Sequence, residues 1–144
     1  MDQGVIVLFD THRDRLYQLG QMLTSDRVIS TFDTSSALLC LQRQSAKLVL
    51  ADWRQSGGAR ILSHLSHWPK DQRPPVVLLD DLSHHERYEN TVGLALQLGA
   101  LAFIPRPIMR KGFCVHLLAV FDYLRLVEEE QRLALRLSLY RTTH

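Results

Sequence analysis

Three aspartates and one arginine in this chain stand where carboxylate chemistry could be done. Asp10 ends the run GVIVLFD, Asp52 ends KLVLAD, Asp80 ends PVVLLD, and Arg106 follows LAFIP. Each aspartate closes a short apolar run of the kind that forms a buried strand. Carboxylates gathered at such strand ends repel one another, so at least one needs a proton or a cation beside it. The candidates are the Arg106 guanidinium and a hard divalent ion such as Mg²⁺, which takes oxygen ligands. Alone, any one of the three aspartates reads as the start of a turn or a helix cap. Together, and with Arg106 before a proline, they read as a site.

The elements that must position them alternate along the chain. After GVIVLFD comes THRDRLYQLGQML, with Leu16, Leu19, Gly20 and Leu23 at helical spacing and Thr11 and Asp14 patterned as a capping box. RVISTF alternates like a half-buried strand, and DTSSALLCLQRQ opens with cap residues and continues as a helix. KLVLAD is the third strand, ARILSHLSHW the third helix, and PVVLLD the fourth strand, whose unbroken apolar run suits a parallel sheet covered on both faces. HHERYENTVGLALQLGA reads as a helix stopped at Gly99, LAFIP as the fifth strand, and the segment from Gly112 to Tyr140 as the last helix. Such an alternation implies an α/β fold: a flavodoxin-like, doubly wound (βα)₅ parallel sheet with strand order 2-1-3-4-5. That order sets the first, third and fourth strands side by side, and in such sheets the working site lies beyond the carboxyl ends of the strands.

Bulk composition narrows the function classes. The chain has 144 residues, 46% of them hydrophobic and 22% charged, and a net charge of +2, which suits one domain with a proper core. Its arginines are scattered, so no direct nucleic-acid contact is expected. No apolar run is long enough to span a bilayer and the opening MDQGVIVLFD lacks the basic start of a signal peptide, so neither a membrane nor secretion is expected. Cys40 and Cys114 fall in separate helical segments and suggest reduced thiols in a cytoplasmic protein. His64 and His67 share a helix face and His84 and His85 are adjacent, yet no further zinc ligand lies at a recognisable spacing. Trp53, next to Asp52, could gate a pocket, serve a partner or cap the hydrophobic edge. No glycine-rich phosphate loop, nucleophile elbow or Cys-x-x-Cys pair is present.

In this order and spacing, VIVLFD, KLVLAD, PPVVLLD and LGALAFIPRPI resemble the receiver domain of bacterial two-component response regulators, over roughly residues 4 to 127. The resemblance implies that Asp52 accepts a phosphoryl group from a partner histidine kinase. It also implies that Mg²⁺ sits on Asp10, Asp52 and the backbone carbonyl of Arg54, with Asp80 a further candidate ligand. Arg106 would be the phosphate partner in place of the family's lysine, and the Arg106–Pro107 bond would be cis at Pro107. Asp80 and Phe103 would form the switch, read out on the fourth helix, fifth strand and fifth helix. If active, such a domain catalyses only its own phosphorylation and dephosphorylation and is not otherwise an enzyme.

The pattern departs from the family at three places. Phe9 stands where a second acid precedes Asp10, Asp80 replaces a hydroxyl residue, and Arg106 replaces a lysine and follows Pro105. A phosphorylated Asp52 would carry close to two negative charges facing Asp80. Two unit charges about 4 Å apart interact by about 4 kcal/mol at an effective dielectric near 20. Arg106 offsets part of that by a bidentate fork, or locks onto Asp52 or Asp80. The expectation is a degenerate receiver, with phosphoryl acceptance at Asp52 possible but impaired. The alternative is a phosphorylation-independent pseudo-receiver that acts as a dimerisation or protein-interaction module; a flavodoxin-like binder of a small anion is a third reading.

The last helix outruns a receiver domain. From Gly112 to Tyr140 it would extend about 43 Å at about 1.5 Å per residue. Phe113, Leu117, Val120, Phe121 and Leu124 form a core-facing stripe, and Glu128 sits four residues before Arg132. Leu133, Leu135, Leu137 and Leu139 alternate, so a strand is also compatible with this end. As a helix, Leu133 and Leu137 lie opposite Leu135 and Leu139, which favours contact with another chain or a following domain. The expected organisation is a receiver-like domain over 1–127 and a helical extension over 128–144 that makes a homodimer or leads to an output domain.

Overall fold

The computed structural model describes residues 4–23, 27–53, 57–81, 88–106 and 110–143. The chain divides into two compact units, residues 1–108 and 109–144. The first holds β1 (Val5–Phe9), α1 (Arg13–Met22), β2 (Val28–Thr31), α2 (Thr34–Arg43), β3 (Ala46–Asp52), α3 (Gly57–Leu65), β4 (Val76–Asp81), α4 (Tyr88–Gln97) and β5 (Ala102–Arg106). The strands form one parallel sheet in the order β2-β1-β3-β4-β5, the expected flavodoxin-like topology.

The alternation of each strand divides the sheet's two faces. Val5, Val7 and Phe9 of β1, Val49 and Ala51 of β3, and Val76 and Leu78 of β4 share one buried cluster with Ala37 and Leu41 of α2, Ile61, Leu62 and Leu65 of α3, and Ala95 of α4. The intervening residues Ile6, Leu8, Leu48, Leu50, Val77 and Leu79 are as deeply buried on the other face, where α1 buries Leu16 and Leu19. Burial on both faces explains why β1, β3 and β4 read as continuous apolar runs.

Local chemistry fixes the element ends. Asp33 caps α2, accepting hydrogen bonds from the Ser36 backbone N–H at 2.7 Å and the Ser36 hydroxyl at 2.9 Å, and these hold its carboxyl below the usual range. The expected capping box at Thr11 and Asp14 is absent: α1 begins one residue later, with His12 at the N-cap and no side-chain cap. Just ahead of that end, Asp10 accepts the His12 backbone N–H at 2.8 Å. Beyond α3, Arg73 donates to the carbonyls of Trp68 and Ser66, each at 2.8 Å, ahead of β4. Pro105 lies within β5, which sits at the sheet's edge, where a missing N–H is tolerated.

The second unit is α5 (Arg110–Thr143), one unbroken helix. The leucine alternation near its end is therefore helical: Leu, Ala, Arg and Glu favour helix over strand. Phe113, Leu117 and Val120 are buried, whereas Leu133, Leu135, Leu137 and Leu139 are all exposed. Two ion pairs, Asp122 with Arg125 and Glu128 with Arg132, line its surface. Among the described residues no helix is long and apolar enough to cross a membrane. Cys40 and Cys114 are both free thiols.

Gly99 ends α4 as expected, at φ 105°. The Gly99 N–H donates to the Leu96 carbonyl at 3.1 Å and the Ala100 N–H to the Ala95 carbonyl at 3.0 Å, the paired bonds of a Schellman turn. A Cβ there meets nothing, so the cost of substitution is conformational alone. Gly99→Ala is expected to lower unfolding free energy by about 1 kcal/mol, read as a lower urea midpoint at unchanged slope.

Candidate functional site

Asp10 and Asp52 meet because of strand register. Leu8 of β1 pairs with Leu50 of β3 and Phe9 with Ala51, so residue 10 comes level with residue 52 at the carboxyl end of the sheet. Both side chains then point to the α1 face, opposite to Phe9. Both are almost completely buried, each at 2% exposure. In β4, Leu79 pairs with Asp52, which places the half-buried Asp80 one step beyond it. Asp81 pairs with Arg106, so Arg106 is the last residue of β5 and not the first residue after it.

The cation beside these acids comes from α1. Arg15 lays its guanidinium along the Asp10 carboxylate, Nε at 2.8 Å from Oδ2 and Nη2 at 2.9 Å from Oδ1. The same Nη2 lies 3.8 Å from Oδ2 of Asp52. A two-pronged arginine–carboxylate pair is the stronger, geometrically defined kind of ion pair. The hydrogen bond that Arg15 donates to Asp10, with the charges of Asp10, Asp52 and Asp80, pushes the Arg15 pKa up, against the opposing effect of partial burial. Thus Asp10 and Asp52 converge as the sequence indicated, and Asp80 adds to the same field.

Sequence reasoning sought the cation at Arg106 or in Mg²⁺ and missed Arg15. Arg54, Pro107 and the side chain of Arg106 lie outside the described residues. The signal for Arg15 was present: α1 starts three residues past Asp10, and side chains in a first turn lean back toward the helix's N-terminus. An arginine five residues after a strand-end aspartate is therefore aimed at it.

The described residues do not fit a hard divalent ion. Both oxygens of Asp10 are engaged, Oδ1 by the His12 N–H and Arg15 and Oδ2 by Arg15. Among the described residues, no three His, Cys, Asp or Glu side chains gather to hold a metal.

Phe9 and the glycines after Asp52 form a matched set on the other face. A Cβ on Gly57 would collide with the Phe9 ring, and one on Gly58 would meet Leu78 Cδ2 at 2.8 Å and the Asp52 carbonyl at 2.9 Å. The strand end, the ring and the start of α3 are thus packed too closely for any side chain. Trp53 caps this edge: its side chain packs against the core cluster, and its backbone N–H donates to the Leu79 carbonyl at 2.9 Å. Phe103, in β5, packs partly buried against the same cluster.

By sequence, no protein-family model and no curated protein matches the chain. By structure it is similar to the receiver domain of NtrX from Brucella abortus, with TM-score 0.68 and 22% identity over 81% of this chain and 98% of that one. It is also similar to a response regulator receiver domain protein from Clostridium thermocellum, with TM-score 0.65 and 16% identity over 86% and 98%. Against the longer NtrX chain the TM-score is 0.76 at 22% identity, and the match covers 90% of this chain but 29% of that one. The fold is that of response-regulator receiver domains.

Gly57→Ala is expected to cost about 1–3 kcal/mol by overpacking against Phe9. In a Phe9→Leu background the same change should cost clearly less. Urea denaturation of the four proteins reads the coupling; equal costs in both backgrounds would refute the contact.

Proposed function

We propose that this chain is a signal-receiver module of a response regulator that works through protein contacts and without phosphorylation of Asp52. The observation that carries this is the Asp10–Arg15 pair. A phosphoryl group arriving at Asp52 needs compensation for close to two negative charges. The nearest described cation, Arg15, is already committed to Asp10, and Asp80 adds a further negative charge where a neutral donor would help. Phe9 removes the second strand-end acid on which a metal-assisted transfer relies in the receiver family. The chain then has no catalytic step of its own, and a histidine kinase or another signalling protein acts on it by docking.

The partner of α5 in this reading is a second copy of the chain. Tyr123, Leu126, Leu133, Leu137 and Tyr140 fall on alternating three- and four-residue or seven-residue spacings and are all exposed, which makes a coiled-coil seam. Glu130 would sit in that seam. A parallel pair would set Glu130 against Glu130 of the second copy, whereas an antiparallel pair sets Glu129 beside Arg136 of the other helix. The charges favour the antiparallel homodimer.

Incubation with a small phosphodonor and Mg²⁺ is expected to leave the intact mass unchanged, while light scattering reports a dimer. Leu133→Asp with Leu137→Asp should make the protein monomeric with the far-ultraviolet spectrum retained. A phosphoryl adduct that disappears in Asp52→Asn would overturn the proposal.

A further inference from the structure

The geometry points to Arg15 as a built-in replacement for the divalent cation, holding the acidic pocket permanently in its cation-loaded form; this inference rests on the phosphorylation-independent reading above. Three observations converge on it. One nitrogen, Nη2, bridges the two buried carboxylates, at 2.9 Å from Asp10 and 3.8 Å from Asp52, and so fills the space that a shared ion would need. Both oxygens of Asp10 already accept hydrogen bonds, two from Arg15 and one from the His12 N–H. Phe9 faces the core cluster instead of supplying an acid, so position 9 offers no carboxylate to a divalent ion.

A tethered cation differs from a bound one in its consequences. It cannot dissociate, its position is fixed by α1, and Arg15 stays protonated at any physiological pH. The carboxyl edge of β1 and β3 is therefore coupled to the first turn of α1 whatever the free Mg²⁺ concentration. Arg15 is a positioning residue in this account, acting through Asp10 and Asp52.

Mn²⁺, read by electron paramagnetic resonance, and Mg²⁺, read by thermal denaturation, test the assignment on the full chain. The wild type is expected to bind no Mn²⁺ at the pocket and to show a melting midpoint that Mg²⁺ leaves unchanged. Arg15→Ala should lower the midpoint in the absence of metal. It should also gain Mn²⁺ binding that Asp10→Asn abolishes, and Mg²⁺ at about ten times its Kd should restore the midpoint by about 5 °C. Arg15→Gln, which retains hydrogen-bond donors and loses the charge, gives the same gain should the alanine variant not fold. Metal binding by the wild type at Asp10, or no gain in either variant, overturns the inference. The phosphodonor experiment is separate: an adduct there defeats the functional reading, whereas failure of the metal gain alone defeats only the role of Arg15.

Discussion

Two carboxylates buried side by side at the ends of adjacent parallel strands need positive charge close to them, and here that charge belongs to the chain itself. The register of β1 against β3 brings Asp10 level with Asp52, and the short connection after Asp10 starts α1 in time for Arg15 to turn back onto it. Burial makes the pairing consequential, because a charge withdrawn from water is costly unless it is paired and hydrogen-bonded. The pair therefore ties a helix terminus to the sheet's functional edge by charge, where the core can tie it only by shape.

The opposite face of that edge follows from the same geometry. One residue before Asp10 the chain points the other way, into the core, and Phe9 occupies that place. Its ring excludes a side chain at Gly57, and the Asp52 carbonyl and Leu78 exclude one at Gly58. The two glycines after Asp52 serve close packing between a strand end and the start of α3. Phe9 thus builds a packed joint on the face opposite to Asp10.

Most of the fold was legible in the sequence because its signals were local and redundant. Apolar runs of strand length alternated with helical spacings, and Gly99 marked a helix end that the backbone at φ 105° confirms. The convergence of Asp10 and Asp52 was legible once the strand order was, since register does the rest. The cap of α1 was misread because the helix begins at Arg13, one residue later than a cap at Thr11 requires. Arg15 was not legible from charge pattern alone. Arginine on a helix surface is commonplace, and only the distance from the end of β1 to the start of α1 decides that this one reaches inward. The alternating leucines at 133–139 were ambiguous because period two over so short a span fits a strand, and helix propensity resolved the matter.

Arg15 and Asp10 act as one charge-compensated unit. A double-mutant cycle with Arg15→Gln, Asp10→Asn and the double variant, followed by urea denaturation, tests it most directly. The expected coupling energy is about 2 kcal/mol, as for hydrogen bonds between charged groups with one partner buried. Additive losses, with a coupling indistinguishable from zero, would contradict it.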